Sequence, residues 1–273
     1  MINALGEKTE IVCIGSSHVF RGCDPDLFSR PTGNLALGGL NYVVAKPLLE
    51  NALDRLPNLK LAIVELDPVM LHSDTVQLRR ASLDYREFLE AGLTKGQLDL
   101  ELTEYAGFAI QELLPHRRYP SLAPSDLRSA WHPNFTNGYM AVNDGIHFRD
   151  EKDGKCRAVV HAKNRFDSAL TTNALLKIIE QLRQKNIPVA FVAYPKMDGY
   201  WENISEPQSR SFENAKGLIE DFAIPIWDLR SADFAETNFR DGDHLNAQGA
   251  EKFSLLLSRH AEQLLGQKTN EYR

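Results

Sequence analysis

The sequence predicts an α/β fold, a three-layer α/β/α domain with a doubly wound parallel sheet and a helical and loop insertion. Short apolar runs alternate with helical segments over most of the 273 residues, which is typical of chains that form parallel sheets. The apolar runs are nearly continuous, as expected of strands buried on both faces. The alternation stops over residues 71–150 and resumes at Ser168, and we place the insertion there.

The first half of the sheet is predicted from two apolar runs and the helix between them. Residues 10–15 form the first strand. A helix is predicted from about Asn41 to Leu56, with a kink or break at Pro47 because proline lacks the N–H that a helix interior uses. The run from Leu59 to Leu66 predicts a buried strand.

The second half shows helical periodicity followed by two strands and two helices. Apolar residues lie on one face of a helix that begins near Ser168, namely Leu175, Ile178, Ile179 and Leu182. Strands are predicted over 188–193 and 224–227, with a helix over 211–221 between them. The last helix begins after Asn246, a residue type that caps helix N-termini well.

The insertion, residues 71–150, is predicted to form a cap within one domain that spans residues 1–273. Its second half is irregular and rich in aromatic residues. Long irregular segments are usually lids or connectors, and many large rings argue against disorder. Trp131, Tyr139 or Phe148 would contribute a wall of a substrate pocket, although the same rings could equally form a small core of the insertion.

Composition excludes several classes of function. The net charge of −6 and the pI of about 5.8 argue against a nucleic-acid partner. No apolar stretch approaches the length of a membrane span, so no direct membrane insertion is expected. The ten residues before the first strand leave no room for a signal peptide, which predicts a cytoplasmic protein, or a periplasmic or extracytoplasmic one if an N-terminal segment has been trimmed.

The cysteines at 13, 23 and 156 show no paired spacing and no zinc pattern, and Cys13 is interpreted as a small core residue.

Two short blocks at opposite ends of the chain carry the candidate chemistry. The first strand leads into Gly15-Ser16-Ser17-His18, which delivers Ser17 to the carboxyl edge of the sheet. Near the C-terminus, His244 follows Asp241 by three positions. A histidine oriented by a carboxylate can take the proton of a serine, so this order predicts Ser17 as nucleophile, His244 as general base and Asp241 as orienting acid.

The sequence also offers alternatives to these assignments. Ser16 could be the nucleophile in place of Ser17, and Asp243 is interpreted as a solvated acid of the loop. The second block could instead bind a divalent metal through Asp241, Asp243 and His244. No second ligand cluster is visible in the sequence, so we expect neither a metal nor a cofactor.

At these residues the chain resembles the SGNH/GDSL hydrolase superfamily, whose serine lies in a Gly-x-Ser block directly after the first strand. The resemblance includes the block Asn34-Leu35-Ala36-Leu37-Gly38-Gly39 and covers residues 10–70 and 168–266. It implies a flavodoxin-like sheet and an oxyanion hole formed by the N–H groups of Ser17 and Gly39. The block around Ser17 looks most like the acyltransferase-like branch, which includes proteins similar to alginate O-acetyltransferases and cell-surface polymer acylation factors.

The chain departs from the family pattern after the third strand. The family places an asparagine there as a further oxyanion donor, whereas this chain has Val64-Glu65-Leu66-Asp67-Pro68-Val69. Loss of one oxyanion donor typically costs about 10²–10³ in turnover. The oxyanion hole would then need a donor that the sequence does not identify.

Three further residues are candidates for substrate binding in addition to Trp131. His18 would pack under the catalytic loop. Arg21 would pair with Asp24 or Asp26, or it would fix the catalytic loop or hold an anionic substrate group. Tyr194 would reach the same edge of the sheet or lie in an exposed loop.

Two functions are compatible with these observations. The first is a serine ester hydrolase or O-acyltransferase that acts on an acylated carbohydrate or a related small ester through a Ser-His-Asp triad, without a cofactor. The resemblance also implies a membrane-bound acyltransferase as a partner. The alternative is a catalytically weak or inactive binding protein of the same fold that docks a glycan or an acyl-donor partner. The sequence indicates no oligomeric state.

Overall fold

The fold is built on a five-stranded parallel sheet. The computed structural model describes residues 6–36, 40–71, 135–136, 139–140, 152–162 and 168–271. In chain order its strands are β1 (Ile11–Ile14), β2 (Thr32–Asn34), β3 (Leu61–Glu65), the short hairpin strands β4 (Phe135–Thr136) and β5 (Tyr139–Met140), β6 (Val189–Ala193) and β7 (Ile226–Asp228). The sheet has the order β2-β1-β3-β6-β7, and every neighbouring pair in it is parallel.

Helices cover both faces of this sheet. They are α1 (Ser17–Gly22), α2 (Tyr42–Leu53), α3 (Lys152–Ala162), α4 (Ser168–Gln184), α5 (Glu206–Asp221) and α6 (Ala247–Glu271). Successive residues of β1 point to opposite faces. Val12 therefore packs in the core cluster with α2, α4 and α5, whereas Cys13 packs in the cluster with α1 and α6. The predicted three-layer α/β/α fold is confirmed.

Some elements differ from their predicted form. Strand β2 was not predicted, because its sequence Thr-Gly-Asn resembles a turn and only its pairing with β1 makes it a strand. Helix α2 is not broken at Pro47; it continues to Leu53, with its buried face packed in the same core as α4. Helix α5 begins at Glu206, where Pro207 occupies the first turn and Ser205 and Gln208 form a capping box.

The strand order places the end of β1 at a topological switch point. From β1 the chain moves to β2 on one side and then to β3 on the other. In open α/β sheets, ligands bind outside the carboxyl ends of the strands where the order reverses. Ser17 follows β1 by three positions, so it lies at this crevice.

Most of the predicted insertion lies outside the described residues. Within it, the hairpin strand β5 lies beside α1, the helix that begins with Ser17. No helix in the described ranges is long and apolar enough to cross a membrane.

Candidate active site

The structure brings Ser17, His244 and Asp241 together. The Oγ atom of Ser17 lies 2.8 Å from Nε2 of His244, although 227 positions separate them. On the other side of the imidazole, Nδ1 lies 2.8 Å from Oδ1 of Asp241. With Nδ1 protonated, Nε2 is free to accept the serine proton, which is the arrangement of a nucleophile, a general base and an orienting acid.

The loop that carries His244 is closed by its own backbone. Phe239 and Leu245 form an antiparallel bridge, and the N–H of Arg240 donates to the carbonyl of His244 at 2.8 Å. Asp241 Oδ1 accepts the His244 N–H at 3.0 Å as well as facing the ring. The Asp-x-x-His spacing therefore forms a tight turn in which one carboxylate orients both the backbone and the side chain of the histidine.

Asn246 ends this turn and begins α6, as predicted. Its Oδ1 accepts the Gly249 N–H at 3.0 Å, and its backbone carbonyl accepts the Ala250 N–H at 2.8 Å. The histidine ring therefore projects from the loop before the helix rather than from the helix itself.

Ser16 and Ser17 have different surroundings. Ser17 is half-buried and faces His244, whereas Ser16 is fully buried. The Ser16 N–H donates to Glu65 Oε2 at 2.5 Å and its hydroxyl to Glu65 Oε1 at 3.1 Å. Ser16 Oγ also accepts the His18 N–H at 3.4 Å as the N-cap of α1. The geometry favours Ser17 over Ser16 as the nucleophile.

Gly15 permits the close approach of Glu65 to this loop. A Cβ atom at position 15 would lie 2.5 Å from Glu65 Oε2 and 2.6 Å from Val19. A side chain at that position would push the carboxylate away from the Ser16 N–H.

The prediction that Asp243 is a solvated loop acid is wrong. Its side chain is 1% exposed, and its Oδ1 lies 3.1 Å from Nδ1 of His244, so two carboxylates face this ring nitrogen. Arg157 of α3 donates to both oxygens of Asp243, at 2.7 Å and 3.2 Å. Burial alone would raise the pKa of Asp243, but the His244 and His18 rings outweigh it and hold the pKa well below its usual range.

His18 is buried between two carboxylates. Its Nδ1 lies 2.7 Å from Glu65 Oε1 and its Nε2 lies 3.3 Å from Asp243 Oδ2. Burial and Lys196 lower the pKa of His18, but Glu65, Asp67 and Asp243 outweigh them and raise it to about 9. His18 is therefore a cation at neutral pH. It is buried beneath the loop that carries Ser17, and its role in substrate binding stays a prediction.

The raised pKa of His18 predicts a pH-dependent stability. Its ordinary value is 6.5, so the stabilisation is complete below pH 6.5 and is lost as the pH rises through about 9. We expect the free energy of unfolding, measured with urea, to fall by an amount on the order of 3 kcal/mol across this range. His18→Gln should be less stable at pH 6 and should lose most of this slope. Parallel pH curves for the two proteins would contradict the assignment of the charge to His18.

A second buried ion pair follows β3 and β6. Lys196 Nζ lies 2.7 Å from Asp67 Oδ2, both side chains are fully buried, and the ammonium lies 3.9 Å from the Tyr200 ring centroid. Asp67 also accepts the Val69 N–H at 2.9 Å. Burial would raise the pKa of Asp67, but Lys196 and His18 lower it. The segment that follows β3 therefore ends in an ion-paired acid and contains no asparagine.

The remaining candidate residues fall into three groups. Tyr194 is fully buried, stacks on His18 with ring centroids 5.2 Å apart and contacts Phe253, so the alternative of an exposed loop is wrong, and its role in substrate binding stays a prediction. Arg21 is half-buried in the last turn of α1. Trp131 and Gly39 lie outside the described residues, as does the proposed oxyanion contact of Gly39.

Two groups of side chains within the described ranges have the spacing of metal ligands, and both include His18. One adds Asp243 and His244, and the other adds Glu65 and Asp67. Metal binding requires a neutral imidazole, whereas both ring nitrogens of His18 face carboxylates and its pKa is raised to about 9. The geometry favours an ion-paired network at these groups over a metal site.

Sequence analysis missed the residues of this network, namely Glu65, Asp67, Arg157 and Lys196, and it did not predict the ion pair between Arg157 and Asp243. One signal was present. Glu65 is a charged residue at the carboxyl end of an apolar run, and acids in such strands are seldom buried unless they are paired. Arg157 and Lys196 carry no comparable signal, because their partners are distant in sequence.

Comparison with known proteins gives similarity of structure only. No family model matches the chain, and no curated protein matches it. The chain is similar to the solved structure of a proposed acylhydrolase from Bacteroides fragilis, with 11% identity, a TM-score of 0.48, and coverage of 94% of this chain and 88% of that one. It is also similar to a GDSL-like lipase from Bacteroides thetaiotaomicron (9% identity, TM-score 0.45, 94% and 89% covered).

A third similar structure is a carbohydrate acetylesterase family member from Sinorhizobium meliloti. It shares 9% identity with a TM-score of 0.43, over 94% of this chain and 99% of that chain. Because the TM-scores and identities are this low, these similarities carry no argument about function. The function is therefore argued from the geometry of the site.

Proposed function

We propose that this chain is a serine ester hydrolase or O-acyltransferase with Ser17 as nucleophile, His244 as general base and Asp241 as orienting acid. The observation that carries the proposal is the 2.8 Å contact between Ser17 Oγ and His244 Nε2, together with the 2.8 Å contact between His244 Nδ1 and Asp241. Ser17 is also partly exposed at the switch point of the sheet, where a substrate can reach it.

The reaction would proceed through an acyl-enzyme. His244 takes the hydroxyl proton as Ser17 Oγ attacks the ester carbonyl carbon, and then returns that proton to the leaving alkoxide oxygen. In the second step His244 removes a proton from water, which gives hydrolysis, or from a sugar hydroxyl, which gives acyl transfer, as that oxygen attacks the acyl carbon. The bond between the acyl carbon and Ser17 Oγ then breaks, and His244 returns the proton to Ser17 Oγ. No step requires a cofactor.

Two carboxylates lie beside the His244 ring on the side away from Ser17. Asp241 and Asp243 both face Nδ1, at 2.8 Å and 3.1 Å. Preorganised charged groups stabilise the charge that develops in a transition state more strongly in a site that excludes water than in water itself. The positive charges of Arg157 and His18 offset the negative charge of Asp243. Two carboxylates can therefore lie close to the His244 ring even when that ring is neutral.

The oxyanion would be received by backbone N–H groups. Ser17 is the first residue of α1, and the first N–H groups of a helix have no acceptor within the helix. Gly39 remains the second proposed donor. Asp67 cannot replace the missing asparagine, because its carboxylate is an acceptor paired with Lys196.

We place the acyl acceptor under a cap formed by residues 71–150, with Trp131 and Tyr139 as candidate walls. Strand β5, which contains Tyr139, lies beside α1. Beyond the other end of this segment, α3 is anchored to the site through Arg157 and Asp243. An acylated sugar or related small ester is the substrate class that we propose, with a membrane-bound acyltransferase as the partner that would supply acyl groups.

The binding-protein alternative is favoured by one observation. The carboxyl end of β3 presents a buried ion pair where an oxyanion donor would be needed. A protein with this site and no turnover would retain the fold and the surface for docking a glycan or an acyl-donor partner.

Hydrolysis of p-nitrophenyl acetate tests the proposal. We expect the purified protein to release p-nitrophenol, and His244→Ala to reduce kcat by about 10³-fold or more. Asp241→Asn should cost less than the roughly 10⁴-fold loss seen when a sole orienting aspartate is removed, because Asp243 still faces Nδ1 at 3.1 Å. If the wild type shows no hydrolysis above that of His244→Ala, the binding-protein alternative is the better account.

A further inference from the structure

Two cysteines flank the segment that carries the candidate nucleophile. Cys13 lies in β1 and Cys23 follows the last residue of α1, with Ser16, Ser17 and His18 between them. Their Sγ atoms are 2.9 Å apart, and both residues are fully buried. A disulfide bond measures about 2.03–2.05 Å, so bond formation requires the sulfurs to move together by less than about 1 Å.

The backbone holds both cysteines in place. Cys13 pairs with Asn34 of β2 on one side and with Ile63 of β3 on the other. The Cys23 N–H donates to the Val19 carbonyl at 2.9 Å. The Asn34 side-chain amide donates to the carbonyls of Cys23 and Val19, at 2.8 Å and 3.0 Å. The contact between the sulfurs is therefore set by the sheet and by the end of α1 rather than by a mobile surface loop.

We propose that Cys13 and Cys23 are a disulfide site, and that the oxidised cross-link clamps the end of β1 to the end of α1 around Ser17. The oxidant is a disulfide such as glutathione disulfide. One cysteine thiolate attacks it, releases one glutathione thiol and leaves a mixed disulfide. The second cysteine thiolate displaces the other glutathione thiol, so two electrons and two protons pass from the protein thiols to the oxidant.

The burial of both sulfurs determines when this reaction takes place. A folded chain shields both thiols, and burial raises the pKa of Cys23 well above its usual range, which disfavours the reactive thiolate. The cross-link therefore forms while the chain folds in the presence of an oxidising disulfide, before the thiols are buried, and the folded protein then protects it. Cys156, which is exposed on α3, is the thiol that reacts with reagents in the folded protein.

Oxidative refolding tests the proposal directly, in a Cys156→Ser background that removes the exposed thiol. The full-length protein is unfolded and reduced, refolded with reduced and oxidised glutathione, denatured, alkylated and digested with trypsin. Cleavage after Arg21 separates the two cysteines, so a disulfide joins the two tryptic peptides until a reductant is added. We expect these joined peptides to be the major species. Recovery of both cysteines as alkylated thiols after oxidative refolding would overturn the proposal.

Thermal unfolding tests whether the bond acts as a clamp. The oxidised Cys156→Ser protein should unfold several degrees higher than the same protein refolded with reductant, because the cross-link restricts the unfolded chain. The matched Cys23→Ala variant in the same background should show no difference between the two refolding conditions. Joined peptides without a rise in Tm would overturn the clamp. Neither readout depends on the proposed esterase activity.

Discussion

Ser17→Ala should reduce p-nitrophenyl acetate hydrolysis to the uncatalysed background, a loss on the order of 10⁶-fold if the triad acts as a unit. The hydroxyl is the atom that would form the bond to the acyl carbon, and alanine leaves His244 without a partner for its Nε2. Ser17 is half-buried, and its hydroxyl contacts the His244 ring, so the variant should fold with a Tm close to that of the wild type. Initial rates and thermal unfolding measure the two effects separately.

The neighbouring serine provides the matched control. Ser16→Ala removes a buried hydroxyl that donates to Glu65 and caps α1, so stability should fall by about 1–2 kcal/mol, while most of the hydrolysis is retained. Equal rates for wild type and Ser17→Ala would remove the basis of the enzyme proposal. Loss of activity in Ser16→Ala with retention in Ser17→Ala would assign the reaction to the other serine.

Asp243→Asn should have the largest effect on stability. The carboxylate lies between Arg157 at 2.7 Å and His18 at 3.3 Å, and removing its charge breaks the ion pair with Arg157 and leaves His18 with Glu65 as its close carboxylate. Breaking a buried ion pair from one side typically costs about 3–5 kcal/mol. Hydrolysis should fall as well, because His244 loses one of its two carboxylates. Urea unfolding at pH 7 measures the first effect.

Two controls accompany this variant. Asp228→Asn removes an acid from the more exposed pair with Arg230 and should cost at most about 1 kcal/mol. Arg157→Met combined with Asp243→Asn should be less destabilised than the two single changes suggest, because it also removes the guanidinium whose ion pair with Asp243 is broken. Additive losses in that double-mutant cycle would show that Arg157 and Asp243 are not coupled.

The sequence alone was sufficient for four of the five strands of the sheet, for helices α2, α4, α5 and α6, and for the outer part of the site. Continuous apolar runs indicate buried parallel strands, and they placed β1, β3 and β6 within a few residues. The Asp-x-x-His spacing forms a local turn, so the relation between Asp241 and His244 could be predicted from neighbouring residues. The serine and the histidine could be paired only through a resemblance between their blocks and those of a known family, since 227 positions separate them.

The tertiary structure decided what lies beneath the triad. Asp243 was interpreted as a solvated acid because a loop acid usually is, and its burial results from α3 and α1 bringing Arg157 and His18 onto it. Asp67 and Lys196 form their ion pair because β3 and β6 are neighbours in the sheet. The contact between Cys13 and Cys23 likewise depends on how α1 folds back on β1. Local periodicity reports which face of an element is buried, whereas the charge of a buried group depends on partners that only the strand order and helix packing bring within reach.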